Sequence, residues 1–154
     1  MSDTPTAPDA ALHPLLARMV DFTRAARLDV DGFDAWAAAG GIAMIVFAEE
    51  VERMKESLDI AVIVPELYAA FGRTFRVGFL PPAAARAIAP RFGFARWPAF
   101  VMLRDGQYLG AVDGIRDWDV YVAEVERLMQ AAPTRAPGVG VRITAAGQPT
   151  AGCH

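Results

Sequence analysis

Cysteine is almost absent from this sequence. Cys153, next to the C-terminus, is the single cysteine in 154 residues. One thiol cannot close an internal disulfide, which excludes the disulfide-stapled folds of small secreted proteins. Such cysteine usage is typical of a protein in a reducing compartment, and we expect a cytoplasmic location.

Long apolar runs and an excess of basic residues are also missing. The longest apolar run, from Ile42 to Ala48, is far shorter than the roughly 20 residues of a membrane-spanning helix. No N-terminal stretch joins basic residues to an apolar segment, so we expect neither a targeting signal nor membrane insertion. The net charge of −3 argues against a nucleic-acid partner, which requires a clustered basic face.

The chain has enough apolar material for one folded domain. Hydrophobic residues make up 54% of the sequence and charged residues 21%, as in soluble globular proteins. Residues 1–10 are small, acidic and Pro-containing, and from residue 133 onward Pro, Gly, Ala and Thr dominate. We therefore expect a disordered leader at 1–10, a folded domain at 11–132 and a flexible tail at 133–154.

The strongest local pattern is a β-hairpin between residues 96 and 114. Asp105-Gly106 stands between two apolar runs, and both residues tolerate the positive φ of a two-residue hairpin turn. Pro98 suits the first residue of the first strand because it lacks a backbone N–H. Since Pro98 follows the bulky Trp97, the bond between them is a candidate cis peptide.

Apolar runs and helical patterns alternate along the rest of the chain. Ile42 to Phe47 and Phe75 to Leu80 are continuous apolar runs, typical of strands buried on both faces. Apolar residues at three- and four-residue steps predict a first helix from Leu12 to about Arg27, with a link or edge strand at 28–31.

The remaining helices complete the fold prediction. Short helices are predicted at 34–39, at 65–71 with Pro65 at the start, and at 83–89. The last helix starts at 117–119, and its predicted apolar face consists of Trp118, Val122, Val125, Leu128 and Met129. This order predicts an α/β fold, in which a central mixed sheet carries helices on both faces.

The hairpin and the helix that follows it resemble the second half of a thioredoxin domain. A proline-started strand, an Asp-Gly turn, a strand ending in glycine and a final helix follow in the thioredoxin order, and the match covers roughly residues 30–130. Thioredoxins carry a Cys-x-x-Cys pair opposite the cis-proline, and its place here falls near Val51 and Met54. Neither side chain can attack a disulfide, so we predict no redox reaction, no catalytic residue and no enzyme.

Finer features narrow the resemblance to one family. The segments VPELYAAF at 64–71, RFGFARWPA at 91–99 and GQYLGAVDGI at 106–115, followed by Trp118, resemble the HyaE/HupG/HoxO family of [NiFe] hydrogenase accessory proteins. The resemblance extends to about residue 130 and implies a thioredoxin-like fold that lacks the cysteine pair and a cofactor.

The same resemblance implies a function. It implies a cytoplasmic chaperone in the maturation of a membrane-bound uptake [NiFe] hydrogenase. Its expected partner is the hydrogenase small-subunit precursor, held through its twin-arginine signal peptide before export, with other hydrogenase accessory proteins as further candidates. Two alternatives stay open: a thiol oxidoreductase that uses Cys153, and a structural subunit of a maturation complex.

The candidate peptide-binding residues fall in two short stretches: Glu49, Glu50 and Glu52, and Arg96, Trp97 and Pro98. Carboxylates bind guanidinium groups bidentately, so the glutamates suit a twin-arginine peptide. The alternative for them is a solvated helix start. The stretch ending at Pro98 could dock an extended peptide by backbone pairing, and its alternative is a proline that only shapes the sheet.

Two further clusters each have a functional and a purely structural interpretation. Phe92, Phe94 and Trp97 could hold the apolar part of a signal sequence, but aromatic residues more commonly fill a core. Cys153 and His154 supply two metal ligands at a chain end, whereas zinc needs three or four, so no metal site is predicted.

Overall fold

The computed structural model describes residues 12–138. Residues 1–11 and 139–154 lie outside the described part, and with them the predicted leader, most of the predicted tail, and Cys153 and His154. The division of the chain at residues 10 and 132 therefore stays a prediction.

Helices and strands alternate along the described chain. The helices are α1 (Pro14–Thr23), α2 (Val30–Ala38), α3 (Ser57–Ala70), α4 (Pro82–Ile88), a 3-10 turn (Ala89–Arg91) and α5 (Trp118–Gln130). The strands are β1 (Ala26–Arg27), β2 (Ile42–Phe47), β3 (Arg76–Leu80), β4 (Ala99–Arg104) and β5 (Gln107–Asp113). Within residues 12–138, no helix has both the length and the apolar character needed to cross a bilayer.

The five strands form one mixed sheet in the order β1-β3-β2-β4-β5. β3 runs parallel to both β1 and β2, and α3 is the crossover from β2 to β3. β4 runs antiparallel to β2 and to β5. This arrangement confirms the predicted α/β, thioredoxin-like fold.

Alternate residues of β2 enter two separate apolar cores. Met44 and Val46 pack with residues of α1, α3 and α5, whereas Ala43, Ile45 and Phe47 pack with residues of α2 and α4. All five side chains are fully buried. Because helices cover both faces of the sheet, β2 needs a continuous apolar sequence, which is what made it recognisable.

The first helix is shorter than predicted, and the second begins earlier. Arg24 ends α1 in the left-handed conformation, with φ of 54°, and the edge strand follows at Ala26–Arg27 rather than at 28–31. Asp29 is the N-cap of α2, and its carboxylate accepts the N–H of Gly32 at 2.7 Å. This N-cap is a local hydrogen bond that the apolar periodicity did not reveal.

Pro65 does not start a helix, as the sequence had suggested, but lies inside α3. Proline in a helix interior costs about 3 kcal/mol because a hydrogen bond is lost. The buried residues on both sides of Pro65 offset this cost, since they hold one helical face against the sheet: Ile60, Ala61, Val64 and Leu67.

The predicted apolar face of the last helix was wrong at its first position. Trp118 is exposed, whereas Tyr121, Val125 and Leu128 are the residues of α5 that the core buries. Trp118 is the first residue of the helix, one turn before Tyr121, so it precedes the part of α5 that packs on the sheet.

The residues after α5 lie against the domain without forming a helix or strand. The N–H of Thr134 donates to the carbonyl of Tyr108 at 2.9 Å. Ala136 packs against the core beneath α2 and α4. Gly138 approaches the backbone so closely that an added Cβ would clash with the carbonyl oxygen of Pro90.

Candidate functional site

A groove of about 550 Å³ lies where β2 and β3 end. In α/β sheets, ligands bind outside the carboxyl ends of parallel strands, which is the position of this groove. Its walls come from four parts of the chain: residues 12–14 and Leu16 at the start of α1, Arg27 and Phe79 in the strands, residues 48–52 after β2, and residues 81–83 after β3.

The three predicted glutamates all line this groove, but they differ in what they contact. The Glu49 carboxylate is paired with the guanidinium of Arg86 on α4, and its side chain is 16% exposed. The hydroxyl of Ser57 also donates to the Glu49 carbonyl at 2.8 Å. Glu49 thus fastens the β2–α3 loop to α4 and α3.

Glu50 and Glu52 are the carboxylates open to a ligand. Glu50 is 49% exposed and lies 3.8 Å from the guanidinium of Arg53, a loose contact between two exposed side chains. Glu52 is exposed. Exposed ion pairs contribute about 0–1 kcal/mol, so an incoming cation displaces the Arg53 contact easily.

The structure places the second predicted stretch, residues 96–98, at the same end of the sheet as the glutamates. Phe47, the last residue of β2, pairs with Ala99, the first residue of β4. The residues that precede β4, 96–98, therefore lie beside those that follow β2, 48–52. All six predicted site residues consequently share one end of the sheet.

The bond between Trp97 and Pro98 is cis, which confirms the prediction. Pro98 is buried, and its carbonyl accepts the N–H of Gly114 at 2.9 Å. Arg96 is exposed and Trp97 is half-buried. A chain lying along this edge would therefore meet Arg96 and Trp97 rather than the proline ring.

The aromatic cluster packs mainly inside the domain. Phe47 contacts the rings of Phe92, Phe94 and Trp97 edge-on, with centroids 6.1, 5.1 and 6.2 Å away. Phe92 is buried, and Phe94 and Trp97 are half-buried. Of the two alternatives, core filling accounts for Phe92, while one side of Phe94 and of Trp97 reaches the surface.

Asp113 holds the loop before Pro98, a role that the sequence did not reveal. Its carboxylate accepts the N–H groups of Ala95 and Arg96 at 2.8 and 3.1 Å, and the guanidinium of Arg116 at 3.0 Å. Burial raises the pKa of this carboxyl, but the three donors together outweigh burial and hold the pKa below its ordinary value.

Replacing Asp113 with asparagine is expected to lower stability by about 1 kcal/mol at pH 7, since the carboxylate is partly solvated. The ionised Asp113 stabilises the fold above the pKa of an unfolded aspartate, about 4, and this stabilisation is lost as the pH falls through the lower folded pKa. The difference between wild type and Asp113→Asn should therefore shrink below pH ~4. Thermal unfolding from pH 2.5 to 7 measures it. The exposed Asp119→Asn is the control, and an equal pH dependence in both variants would contradict the assignment.

Several other groove residues were not predicted from the sequence. His13 caps α1, since its Nδ1 accepts the N–H of Leu15 at 3.0 Å, and it lines the groove beside Leu12. Pro81 and Pro82 form the opposite wall. Pro14 at the first helical turn was a signal for a cap at residue 13, but nothing local joins it to residues 81 and 82.

The groove combines carboxylates with apolar walls, and no cysteine occurs among residues 12–138. Val51, which the sequence comparison placed near a thioredoxin cysteine position, is one of the lining residues. Among residues 12–138, no group of three or more His, Cys, Asp or Glu side chains is arranged to hold a metal ion. Carboxylates beside apolar surface suit a peptide that carries both cationic and apolar side chains.

Comparisons with known proteins agree with one another. The profile of a family described as "Hydrogenase-1 expression protein HyaE" matches residues 15–121. The hydrogenase expression/formation protein HoxO of Cupriavidus necator is 38% identical over 138 residues, which is 88% of this chain and 86% of that protein. The hydrogenase expression/formation protein HupG of Bradyrhizobium diazoefficiens is 34% identical over 105 residues, 68% of this chain and 71% of that protein. A crystal structure described as a hydrogenase expression/formation protein HupG of Rhodopseudomonas palustris is 28% identical, with 68% of this chain and 94% of that chain covered and a TM-score of 0.47.

Proposed function

The chain belongs to the family of the hydrogenase-1 expression protein HyaE, and from that premise we propose that it is a redox-inactive chaperone for a membrane-bound uptake [NiFe] hydrogenase. A role as an accessory protein in hydrogenase expression and formation follows from the family. The finer proposal is that it binds the small-subunit precursor by the twin-arginine signal peptide, in the cytoplasm, before export. We also propose that the protein catalyses no reaction.

The single observation behind this proposal is the position of Glu50 and Glu52 in the groove. The guanidinium group presents planar, forked donors that match a carboxylate, so two exposed carboxylates suit two adjacent arginines. Arg96 and Trp97 lie at the same end of the sheet. The resemblance to thioredoxins implies that this end holds an extended peptide, with Val51 near the place of one of the two cysteines.

A co-purification experiment tests this proposal. The tagged chain is expected to retain the small-subunit precursor at least about tenfold better than the same subunit without its signal peptide. A precursor with both arginines changed to lysine should bind more weakly, because lysine keeps the charge but not the planar fork.

Equal recovery of all three forms would contradict recognition of the signal peptide. That result would favour the alternative of a structural subunit in a maturation complex, with contacts to the folded part of the hydrogenase or to other accessory proteins.

A further inference from the structure

Three large apolar side chains are exposed in one short stretch between β5 and the first turn of α5. Ile115, Trp118 and Val120 are 44%, 45% and 40% exposed. Single apolar residues on a surface are ordinary, and Val120, two residues beyond Trp118, points about 200° away around the helix. Ile115 and Trp118 instead lie three residues apart where the chain enters α5, and we refer to these two residues as the Trp118 patch.

The Trp118 patch adjoins the residues already placed at the peptide-binding end of the sheet. Gly114, which immediately precedes Ile115, donates its N–H to the carbonyl of Pro98. Arg96 packs over Gly114 so closely that an added Cβ would lie 3.1 Å from the Arg96 Cδ. Ile115 therefore follows directly on a residue that contacts Pro98 and Arg96, at the end of the sheet that also carries the groove.

The charges around the patch indicate the chemistry of its partner. Asp117 and Asp119 flank Trp118, and both are exposed, as are two cations nearby, Arg116 and Arg96. Arg116 is paired with Asp113, so carboxylates remain in excess once Glu50 and Glu52 are included. Glu50 and Glu52 lie at the same end of the sheet, because β2 and β5 both end there. A segment that carries cationic and apolar side chains complements this surface, whereas an acidic one does not.

Residues 139–154 carry Arg142 between Val141 and Ile143 and are an alternative occupant that the experiment below tests, whereas two other occupants are disfavoured by charge. Residues 1–11 precede the groove residue Leu12, but they contain Asp3 and Asp9 and neither Lys nor Arg. A second copy brings a net charge of −3 against an already acidic surface. Like charges at an interface oppose association, so both occupants are disfavoured.

We propose that this end of the molecule binds two separate parts of one peptide, an inference that rests on the proposed function. Adjacent arginines bind Glu50 and Glu52, and an apolar stretch further along the same peptide packs on the Trp118 patch. Signal peptides have this order, with a basic region followed by an apolar one. The patch is therefore a specificity-determining surface that distinguishes signal peptides from other arginine-containing segments.

The sheet sets the spacing between the two parts. β2 and β5 are separated by β4, and two strand spacings amount to about 10 Å. An extended chain covers about 3.3 Å per residue, so a peptide needs about three residues to pass from the end of β2 to the end of β5, and we expect at least this number between the arginines and the first apolar residue.

Binding of synthetic peptides to the full chain, measured by calorimetry, tests the inference. One peptide carries two arginines, a four-residue Gly/Ser spacer and four leucines, and a second carries the arginines and spacer alone. The double variant Ile115→Ser/Trp118→Ser should lose about tenfold in affinity for the first peptide and keep its affinity for the second. A spacer of one residue should remove the advantage of the leucines for wild type.

Val62→Ser on α3 is the matched control, since Val62 is 55% exposed and lies outside the patch. Equal affinities of the double variant and the control for the leucine peptide would overturn the inference and leave the proposed function intact. Tighter binding by the double variant, or a change in its oligomeric state, would also overturn it, because the chain's own residues would then cover the patch. If neither peptide binds the wild-type protein, the proposed function is contradicted, and the inference that rests on it is contradicted as well.

Discussion

Replacing Phe47 with alanine is expected to lower the free energy of unfolding by about 3–5 kcal/mol. Phe47 is fully buried at the end of the central strand and contacts Phe92, Phe94 and Trp97. The substitution leaves a cavity between β2 and the loop before β4, which backbone pairing on both sides of β2 prevents from collapsing. Domains of this size have about 5–15 kcal/mol in total, so the variant keeps only part of its stability.

Urea denaturation of the full chain measures this loss. Phe22→Ala is the matched control, because Phe22 is 46% exposed and its ring contacts Tyr68 and Arg73 at the surface. The control should cost about 1 kcal/mol or less. An equally small loss of stability for Phe47→Ala would mean that this ring does not support the end of the sheet at which the proposed binding site lies.

Reversing two charges in the groove is expected to have the largest effect on binding. The double variant Glu50→Arg/Glu52→Arg should lower affinity for the precursor by about 10–100-fold, since it removes two attractive carboxylates and sets two cations against the twin arginines. Glu49 is left unchanged because its carboxylate is paired with Arg86, and its loss would loosen the loop itself.

The matched control reverses the same number of charges elsewhere. Glu66 on α3 and Glu126 on α5 are exposed and lie about 12 Å or more along their helices from this end of the sheet. Glu66→Arg/Glu126→Arg should bind the precursor like wild type at 0.15 M salt, where the Debye length is about 8 Å. An equal loss in both double variants would mean that net charge, and not the groove, governs binding.

Sequence reasoning predicted the elements whose signals are local. β2 was recognised at its observed bounds because both its faces are buried. The hairpin turn was recognised because Asp105-Gly106 takes the required positive φ values of 52° and 82°. The family resemblance was likewise confirmed, since it rests on contiguous segments.

Features that depend on distant contacts were not predictable in this way. The interior position of Pro65 depends on how much apolar surface α3 buries, which no window around the proline reveals. The groove requires the start of α1 to meet residues 48–52 and 81–83, and Asp113 meets a loop 18 residues earlier. The exposure of Trp118 depends on where α5 begins relative to the sheet.

The two limits of the described residues lie at different features of the domain, which has a practical consequence for affinity handles. An N-terminal handle connects to the domain at Leu12, which lines the groove. A C-terminal handle connects at Gly138, beside Pro90, which is not among the groove residues. A comparison of both attachments would therefore show whether tethering next to the groove disturbs binding.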